Sequence, residues 1–159
     1  MADSREQVWA VVVFQSEGVW QVAELPPGVV DNLDTVSAAV RGQVPGAFAL
    51  INVADEFFVV VRHMGDRELL LLSDLTASVA WDLAAQVMER LGLELPADDE
   101  REEVWPAGDL GVFEDLGLDE MELGAVLSDV DAYADEMLST LARRLGFAES
   151  YERVIDALV

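Results

Sequence analysis

Residues 47–73 read AFALINVADEFFVVVRHMGDRELLLLS, and this stretch decides the fold. It holds three apolar runs of strand length, each separated from the next by polar residues or glycine. The runs cover residues 47–53, 57–62 and 68–73. Asp55-Glu56 and Gly65-Asp66 occupy the two separators, and residues of these types are typical of tight turns. The pattern therefore predicts three consecutive strands joined by short turns.

The residues before this stretch add two strands and a helix. An unbroken apolar run over residues 8–14 predicts a strand that is buried on both faces. Alternation of apolar and polar residues over 19–24 predicts its hairpin partner. Asp34 is positioned to cap a helix that Gly42 would end.

A second helix is predicted immediately after the stretch. Apolar residues there recur every four positions, which places them on one helix face. They are Leu75, Val79, Leu83, Val87 and Leu91. Ser73 or Asp74 would cap this helix and Gly92 would end it. The order β-β-α-β-β-β-α predicts an α+β fold with an antiparallel or mixed sheet of about five strands and with these helices on one face of the sheet.

The rest of the chain is predicted to be helical after an acidic linker. Residues 96–103 are polar and lack an apolar period, which indicates a solvated linker. One long helix, about 40 Å in length, is predicted from a cap at Asp119 to Gly146, and a short helix follows over residues 149–158. We expect a sheet domain over residues 1–93, the acidic linker or docking segment over 94–118, and a helical part over 119–159 packed on the first.

Charge limits the partners that this chain can bind. The formal net charge is −23, and residues 93–159 hold 19 acids against four arginines. Such a field repels nucleic-acid phosphates and anionic membranes, and it attracts basic proteins. Because 52% of the residues are apolar, the chain can nevertheless fill a core. We expect a basic protein partner and no direct binding to nucleic acid or to a membrane.

Composition also limits the chemistry and the compartment. The sequence has no cysteine, which excludes disulfides, thiolate nucleophiles and cysteine-based zinc sites. The first residues lack the cationic start and apolar core of a secretion signal. No apolar run approaches the roughly 18 residues that a membrane helix needs. We expect a cytoplasmic protein.

Two motifs in the acidic half resemble functional loops but lack an indispensable residue. The stretch DVDAYAD, residues 129–135, spaces its carboxylates like the start of a calcium loop. Ala134 and Thr140 stand where that loop requires a turn glycine and a bidentate glutamate. The residues around Asp119 resemble the carrier-protein motif that presents a serine for phosphopantetheine, but Glu120 stands at the serine position. We therefore predict no metal and no cofactor.

The sequence shows no catalytic set of residues. His63 is the only histidine, and a general base needs a nucleophile, an orienting partner and a pocket. No such set is recognisable, and no glycine-rich phosphate loop is present. We predict no catalytic residues. An enzyme or small-ligand binder would need a pocket near His63.

The acidic segment is the candidate site. Residues 94–122 contain 12 acids and one arginine, together with aromatic side chains. One interpretation is an acidic loop that its aromatics fasten to the core. The other is a docking surface with aromatic anchors in a negative field. The candidate docking residues are Asp99, Glu100, Glu102, Glu103, Trp105, Asp109, Phe113, Glu114, Asp115, Asp119, Glu120 and Glu122.

Several stretches resemble one protein family over most of the chain, from about residue 9 to residue 157. They are residues 58–70, 81–85, 113–138 and 142–147. In these stretches the chain resembles the actinobacterial proteins described as tRNA adenosine deaminase-associated. The resemblance implies association with a deaminase and implies no catalytic residue. The chain cannot be that deaminase, because zinc deaminases need a P-C-x-x-C motif and this sequence has no cysteine.

Three functional hypotheses follow. The leading one is a non-enzymatic accessory protein that binds a basic partner, which the resemblance implies to be a tRNA adenosine deaminase. The second is an enzyme or small-ligand binder with a pocket near His63. The third is a homodimer formed through an exposed strand edge or the long helix, in which the acidic surface serves only solubility.

Overall fold

A six-stranded antiparallel sheet forms the centre of the protein. The computed structural model describes residues 8–94, 106–129 and 131–158. The described strands are β1 (Val8–Ser16), β2 (Val19–Glu24), β3 (Phe48–Val53), β4 (Phe57–Met64), β5 (Arg67–Leu72) and β6 (Ala107–Gly108). They lie in the order β2-β1-β3-β4-β5-β6. The predicted α+β class is confirmed, and the sheet has six strands rather than about five because β6 adds an edge strand.

Both faces of the sheet are buried, which explains the unbroken apolar runs. Successive residues of a strand point to opposite faces. Ile51 and Val59 therefore enter the first core, whereas Leu50 and Val60 enter the second. The first core is closed by α1 (Leu33–Arg41) and α2 (Asp82–Leu91), and the second by α3 (Glu120–Leu127), α4 (Ala134–Leu145) and α5 (Ala148–Leu158). The described chain thus forms three layers, with the sheet in the middle.

The turn between β3 and β4 fixes the start of a distant helix. Ala54 and Asp55 both have positive φ, 54° and 59°, which suits a tight hairpin turn. The Asp55 carboxylate accepts a hydrogen bond from Asn52 at 2.7 Å. The Asp55 carbonyl accepts one from the Ala134 N–H at 3.1 Å. The first residue of α4 is therefore held at this turn.

The single long helix predicted between Asp119 and Gly146 is wrong, because α3 and α4 are separate helices. The Asp129 carboxylate accepts a hydrogen bond from the Asp131 N–H at 3.1 Å. The Glu136 carboxylate accepts one from the Tyr133 N–H, also at 3.1 Å. These local bonds satisfy backbone groups outside a helix and so compete with its continuation.

The helix predicted over residues 75–91 is also interrupted. A 3-10 turn over Leu75–Val79 comes first, and Asp74 caps it by accepting from the Thr76 N–H at 3.0 Å. Trp81 then takes an extended backbone, with φ −119° and ψ 124°, so that α2 begins only after it. The Trp81 indole packs on Phe57 with the ring centroids 6.1 Å apart, which gives this break a packing reason.

The ends of the remaining helices follow ordinary capping chemistry. Asn32 caps α1 by accepting from the Asp34 N–H at 2.7 Å, so the predicted cap at Asp34 is off by two residues. The predicted cap at Asp119 is confirmed, with the Glu122 N–H donating at 2.8 Å. No helix in the described ranges has the length and hydropathy needed to cross a bilayer.

Candidate partner-docking surface

The predicted docking residues divide between described and undescribed parts of the chain. Five lie outside the described residues, namely Asp99, Glu100, Glu102, Glu103 and Trp105. The other seven lie between Asp109 and Glu122, close to the second core. Partner binding by any of the twelve stays a prediction.

Three of the seven described residues hold the local structure. Phe113 is fully buried, and its ring meets Phe48 edge-to-face with the centroids 5.0 Å apart. Asp109 accepts a hydrogen bond from the Leu70 N–H at 3.1 Å, which fastens the segment to β5. Asp119 caps α3. Phe113 and Asp109 therefore attach the acidic segment to the sheet, and Asp119 fixes the start of α3.

Asp115 is bound to a buried arginine. Arg62, near the end of β4, is only 2% exposed. Its Nη1 and Nη2 donate to the two carboxylate oxygens of Asp115 at 2.6 and 2.9 Å. Nε donates to the Gly46 carbonyl at 3.0 Å, and Nη1 also donates to the Val112 carbonyl at 2.7 Å. Most of the guanidinium donors are therefore satisfied within the protein.

The other three acids lie at or before the first turn of α3. Glu122 forms an ion pair with Arg144 of α4. Glu114 and Glu120 are exposed and approach the same point. A Cβ placed on Gly111 would lie 3.2 Å from Glu114 Oε2 and 3.3 Å from Glu120 Oε1. Two carboxylates this close create a local negative potential that favours a cationic neighbour.

A groove runs between α3 and α4, and we call it the α3–α4 groove. One part has a volume of about 160 Å³ and reaches Glu56 and Asp74 beside the sheet. The other part has a volume of about 280 Å³ and reaches Glu122 and Arg144. Three residues line both parts, namely Asp129, Ala132 and Met137. The two parts therefore adjoin along the Met137 side chain.

The α3–α4 groove combines an apolar lining with carboxylates. Leu127 and Met137 contribute apolar surface, whereas Glu56, Asp74 and Asp129 contribute carboxylates. A long cationic side chain fits this combination, because its methylene stem can cover apolar surface while its charged end meets a carboxylate. The lining therefore suits arginine or lysine side chains of a protein partner.

The pKa values of Asp135 and Tyr151 are raised, in part by negative charge at this end of the sheet. Burial, and then the charge of Asp55, raise the pKa of Asp135. Burial, and then the charges of Asp135 and Asp55, raise the pKa of Tyr151. Asp55 comes from the β3–β4 turn and Asp135 from α4, so two distant segments concentrate negative charge beside the groove.

Two large side chains project into solvent next to groove residues. Tyr133, which precedes α4, is 69% exposed, and Met121 in the first turn of α3 is 85% exposed. Exposed aromatic and methionine side chains are enriched at protein–protein interfaces. Their position next to Ala132 and Glu122 of the groove lining adds apolar contact area to an acidic surface.

A second cleft lies at the other end of β4. It has a volume of about 370 Å³, and its lining includes Trp20, Pro45, Arg62 and Met64. His63 is not part of this lining, since neighbouring residues of a strand point to opposite faces.

His63 belongs to a polar cluster on the face of the sheet that packs against the first core. Its Nε2 lies 3.0 Å from a carboxylate oxygen of Glu68, and Glu68 also pairs with Arg90 of α2 at 3.0 Å. Among the described residues, no three histidine or carboxylate side chains are grouped so that they could hold a metal ion. The His63 side chain therefore lies in a polar cluster in which Glu68 of β5 joins Arg90 of α2.

Glu56 and Asp74 were not predicted as site residues. Glu56 precedes β4 and Asp74 comes after β5, and acids are common at such turns. Only the packing of α3 and α4 against that end of the sheet brings them to Asp129. The one signal in the sequence was the break-prone stretch SDVDAY, residues 128–133, at which the two helices separate.

Comparison with known proteins gives one consistent result. A family model described as "Rv3753c-like tRNA adenosine deaminase-associated protein" matches residues 8–148. Protein Rv3753c of Mycobacterium tuberculosis is 39% identical over 153 residues, which cover 94% of this chain and 88% of the relative. No solved structure matches the chain. The family match spans all six described strands and the α3–α4 groove.

Proposed function

Since the chain belongs to the Rv3753c-like tRNA adenosine deaminase-associated protein family, we propose that it is a non-enzymatic accessory protein that binds a tRNA adenosine deaminase through its acidic surface. The family description names an associated protein and not a deaminase. The lack of cysteine removes the ligand set that zinc deaminases use. The proposed role of the chain is therefore to bind the enzyme rather than to carry out its reaction.

The observation that carries this proposal is the α3–α4 groove, whose apolar lining is combined with carboxylates. An enzyme that binds tRNA tends to present basic surface, because it must neutralise phosphates. The groove offers apolar lining at Met137 and carboxylates at Glu56 and Asp129. Basic side chains of the enzyme would enter it, and the net charge of −23 would speed their encounter.

Co-purification with the tRNA adenosine deaminase of the same organism tests the proposal. We expect a complex at about 50 mM salt that weakens strongly toward about 500 mM, because salt screens exposed charges. Failure to detect a complex at any ionic strength would contradict the proposed function. A complex that is insensitive to salt would contradict the role of the acidic surface.

A charge-matched pair of variants tests the groove itself. Glu56→Gln combined with Asp129→Asn removes two carboxylates from the groove but keeps hydrogen-bond acceptors at both positions. Asp31→Asn combined with Glu89→Gln removes the same charge from exposed positions beside α1 and on α2, away from the groove and from α5. We expect the groove variant to weaken binding at least about tenfold and this control variant no more than about threefold. Equal losses would mean that overall charge, not the groove, mediates binding.

Competition with tRNA tests a narrower form of the proposal. If the chain covers the basic surface that binds tRNA, adding it to a deamination assay raises the apparent KM for tRNA and leaves kcat unchanged. An unchanged KM in the presence of a demonstrated complex would mean that the chain binds elsewhere on the enzyme.

A further inference from the structure

Within the described part of the chain, the edge strand β2 has backbone groups that no other strand pairs. β2 is the first strand in the sheet order, and β1 is its partner among the described residues. The Leu25 N–H donates to the Ala10 carbonyl at 2.9 Å, which makes this pair a hydrogen-bonded one in the β1–β2 register. Hydrogen-bonded pairs alternate along an antiparallel ladder. The backbone groups of Trp20, Val22 and Glu24 therefore point away from β1, toward the open edge.

The interior of this edge strand lacks the charges that usually protect an exposed strand. No ionisable residue lies between Glu17 and Glu24, although the chain has 32 acids among 159 residues. Natural edge strands are commonly blunted by charged side chains, prolines or bulges. β2 has six residues without proline, whereas β6 at the opposite described edge has two. β2 is thus the longer and less protected of the two edges.

Helix α5 supports one face of this strand and leaves the other face exposed. Trp20 packs on Phe147 with the ring centroids 5.4 Å apart, and α5 lies against β2. On the opposite face Val19, Gln21 and Ala23 are exposed, and Val19 retains 58% of its accessible surface. The edge is therefore held in place before any partner arrives, which lowers the entropic cost of adding a strand.

We infer that β2 accepts an extended segment of the cationic protein partner as a seventh strand. This inference rests on the proposed function and specifies one mode of contact for that partner. Strand addition obtains affinity from main-chain hydrogen bonds and specificity from alternate side chains. The segment that fits has small or apolar residues opposite Val19, Gln21 and Ala23, and basic residues at its ends facing Glu17 and Glu24.

Electrostatic repulsion favours a cationic segment over a second copy of the chain at the β2 edge. Pairing of two β2 strands would bring together two chains that each carry a net charge of −23. The pairing would also bring together the exposed acids of α5 from the two copies, namely Glu149, Glu152 and Asp156. Arg153 is the one exposed arginine of this helix. Like charges oppose such a contact, whereas a cationic segment is attracted by the same groups.

Amide hydrogen exchange with the tRNA adenosine deaminase as the probe tests this inference on the unmodified protein. In the free protein the amides of Trp20, Val22 and Glu24 exchange fast, because they face solvent. Addition of the enzyme is expected to slow them at least about tenfold. The amides of Gln21 and Ala23, already paired with β1, are the internal reference. If a complex forms while the three amides keep their free rates, strand addition is wrong and the proposed function stands.

A proline variant tests the same point through affinity. Val22→Pro removes an outward N–H that β1 does not use, a position where edge strands tolerate proline. Val22→Ala is the matched control, because it shortens the side chain and keeps the N–H. We expect the proline variant to bind the enzyme at least about tenfold more weakly than the alanine variant. Equal binding by two folded variants would overturn the inference.

The oligomeric state of the free protein shows whether a second copy of the chain occupies the β2 edge. Light scattering on the protein alone is expected to give a monomer. A dimer whose Trp20, Val22 and Glu24 amides are already protected would mean that a second copy occupies the edge, and it would overturn the inference. Absence of any complex with the enzyme would remove both the proposed function and this inference.

Discussion

The guanidinium of Arg62 and the carboxylate of Asp115 form a two-bonded ion pair that joins β4 to the acidic segment. The bonds measure 2.6 and 2.9 Å, and the Arg62 side chain is almost completely buried whereas Asp115 remains about half exposed. The same guanidinium lies over the Phe48 ring, 5.8 Å from its centroid. A buried cation needs such a partner, because an unpaired charge inside a protein is costly.

Removal of the Asp115 charge is therefore expected to destabilise the fold. Asp115→Asn leaves the buried Arg62 cation without its anion, although the Gly46 and Val112 carbonyls still accept from it. Since Asp115 is half exposed, solvent screens part of the effect, and we expect the free energy of unfolding to fall by about 1–2 kcal/mol. Chemical denaturation measures this change. The control is Glu114→Gln at the exposed neighbouring acid, and equal losses in both variants would contradict a specific role for the pair.

The fold was predictable from the sequence where burial left a regular pattern. The unbroken apolar runs in residues 47–73 predicted β3, β4 and β5, because strands buried on both faces need apolar residues at every position. The same runs gave no indication of which helices cover each face. Helix breaks at Ser128 and Trp81 were not predicted, because a regular apolar spacing continues through both.

The site was less predictable, because its residues meet only in the folded chain. The composition of residues 94–122 gave a negative segment, but Asp115 is bound to Arg62, which lies 53 positions earlier. Glu56 and Asp74 reach the α3–α4 groove from turns in the first half of the chain. Charge counts along a sequence do not reveal which acids are paired across space.

Replacement of Gly108 and of Gly124 by alanine is expected to change the stability of the fold in opposite directions. A Cβ at Gly108 would lie 2.1 Å from the Leu70 carbonyl oxygen, and its φ of +108° is unfavourable for any other residue. We expect Gly108→Ala to cost at least about 2 kcal/mol of unfolding free energy, because β6 must leave β5. Gly124 in α3 has no atom within 4 Å of such a Cβ. Gly124→Ala should therefore stabilise by about 0.5–1 kcal/mol, as expected for a helix interior.

Thermal or chemical denaturation of the two glycine variants measures both effects. Hydrogen exchange of the β5 amides adds a local test, because loss of β6 exposes the Leu70 N–H. A stable Gly108→Ala variant with unchanged exchange would show that β6 does not contribute to the sheet.

Glu68 is expected to stabilise the fold at neutral pH and to lose this effect in acid. Burial alone would raise its pKa, but hydrogen bonds from Ser37 and Arg90, together with the charge of Arg90, lower the pKa below its ordinary 4.5. A lowered folded-state pKa means that the stabilisation is present above pH 4.5 and disappears as the pH falls through the folded value. Glu68→Gln should thus be less stable than the wild type at pH 7, by about 1 kcal/mol.

The two stability curves should converge as the pH falls below 4.5. Denaturation at several pH values between 3 and 7, on the wild type and on Glu68→Gln, measures this. Glu152→Gln on exposed α5 serves as the reference for a lost surface charge. A difference between wild type and Glu68→Gln that stays constant with pH would attribute the effect to packing and not to ionisation.

Ionisation of Asp135 is expected to destabilise the fold, whereas ionisation of Glu68 stabilises it. Burial, followed by the charge of Asp55, raises its pKa above the ordinary 3.8. A raised folded-state pKa in an acid means that ionisation destabilises the fold, with no cost below pH 3.8 and the full cost above the folded value. The dipole of α4 favours the charge at this first-turn position, but the raised pKa shows that burial and Asp55 outweigh it. Asp135→Asn should therefore raise the stability at pH 7 by less than about 1 kcal/mol, and this advantage should vanish in acid.

The source of the Asp135 effect can be separated with a second variant. In an Asp55→Asn background the repulsion is absent, so the gain from Asp135→Asn at pH 7 should shrink, as a double-mutant cycle by denaturation would measure. Binding of a cationic partner at the adjacent α3–α4 groove should act in the same direction, because its charge offsets that of Asp55 and lowers the pKa of Asp135. Titration of the Asp135 carboxyl by NMR, with and without the tRNA adenosine deaminase, would detect this. An unchanged pKa in a formed complex would place the basic surface of the partner away from the groove.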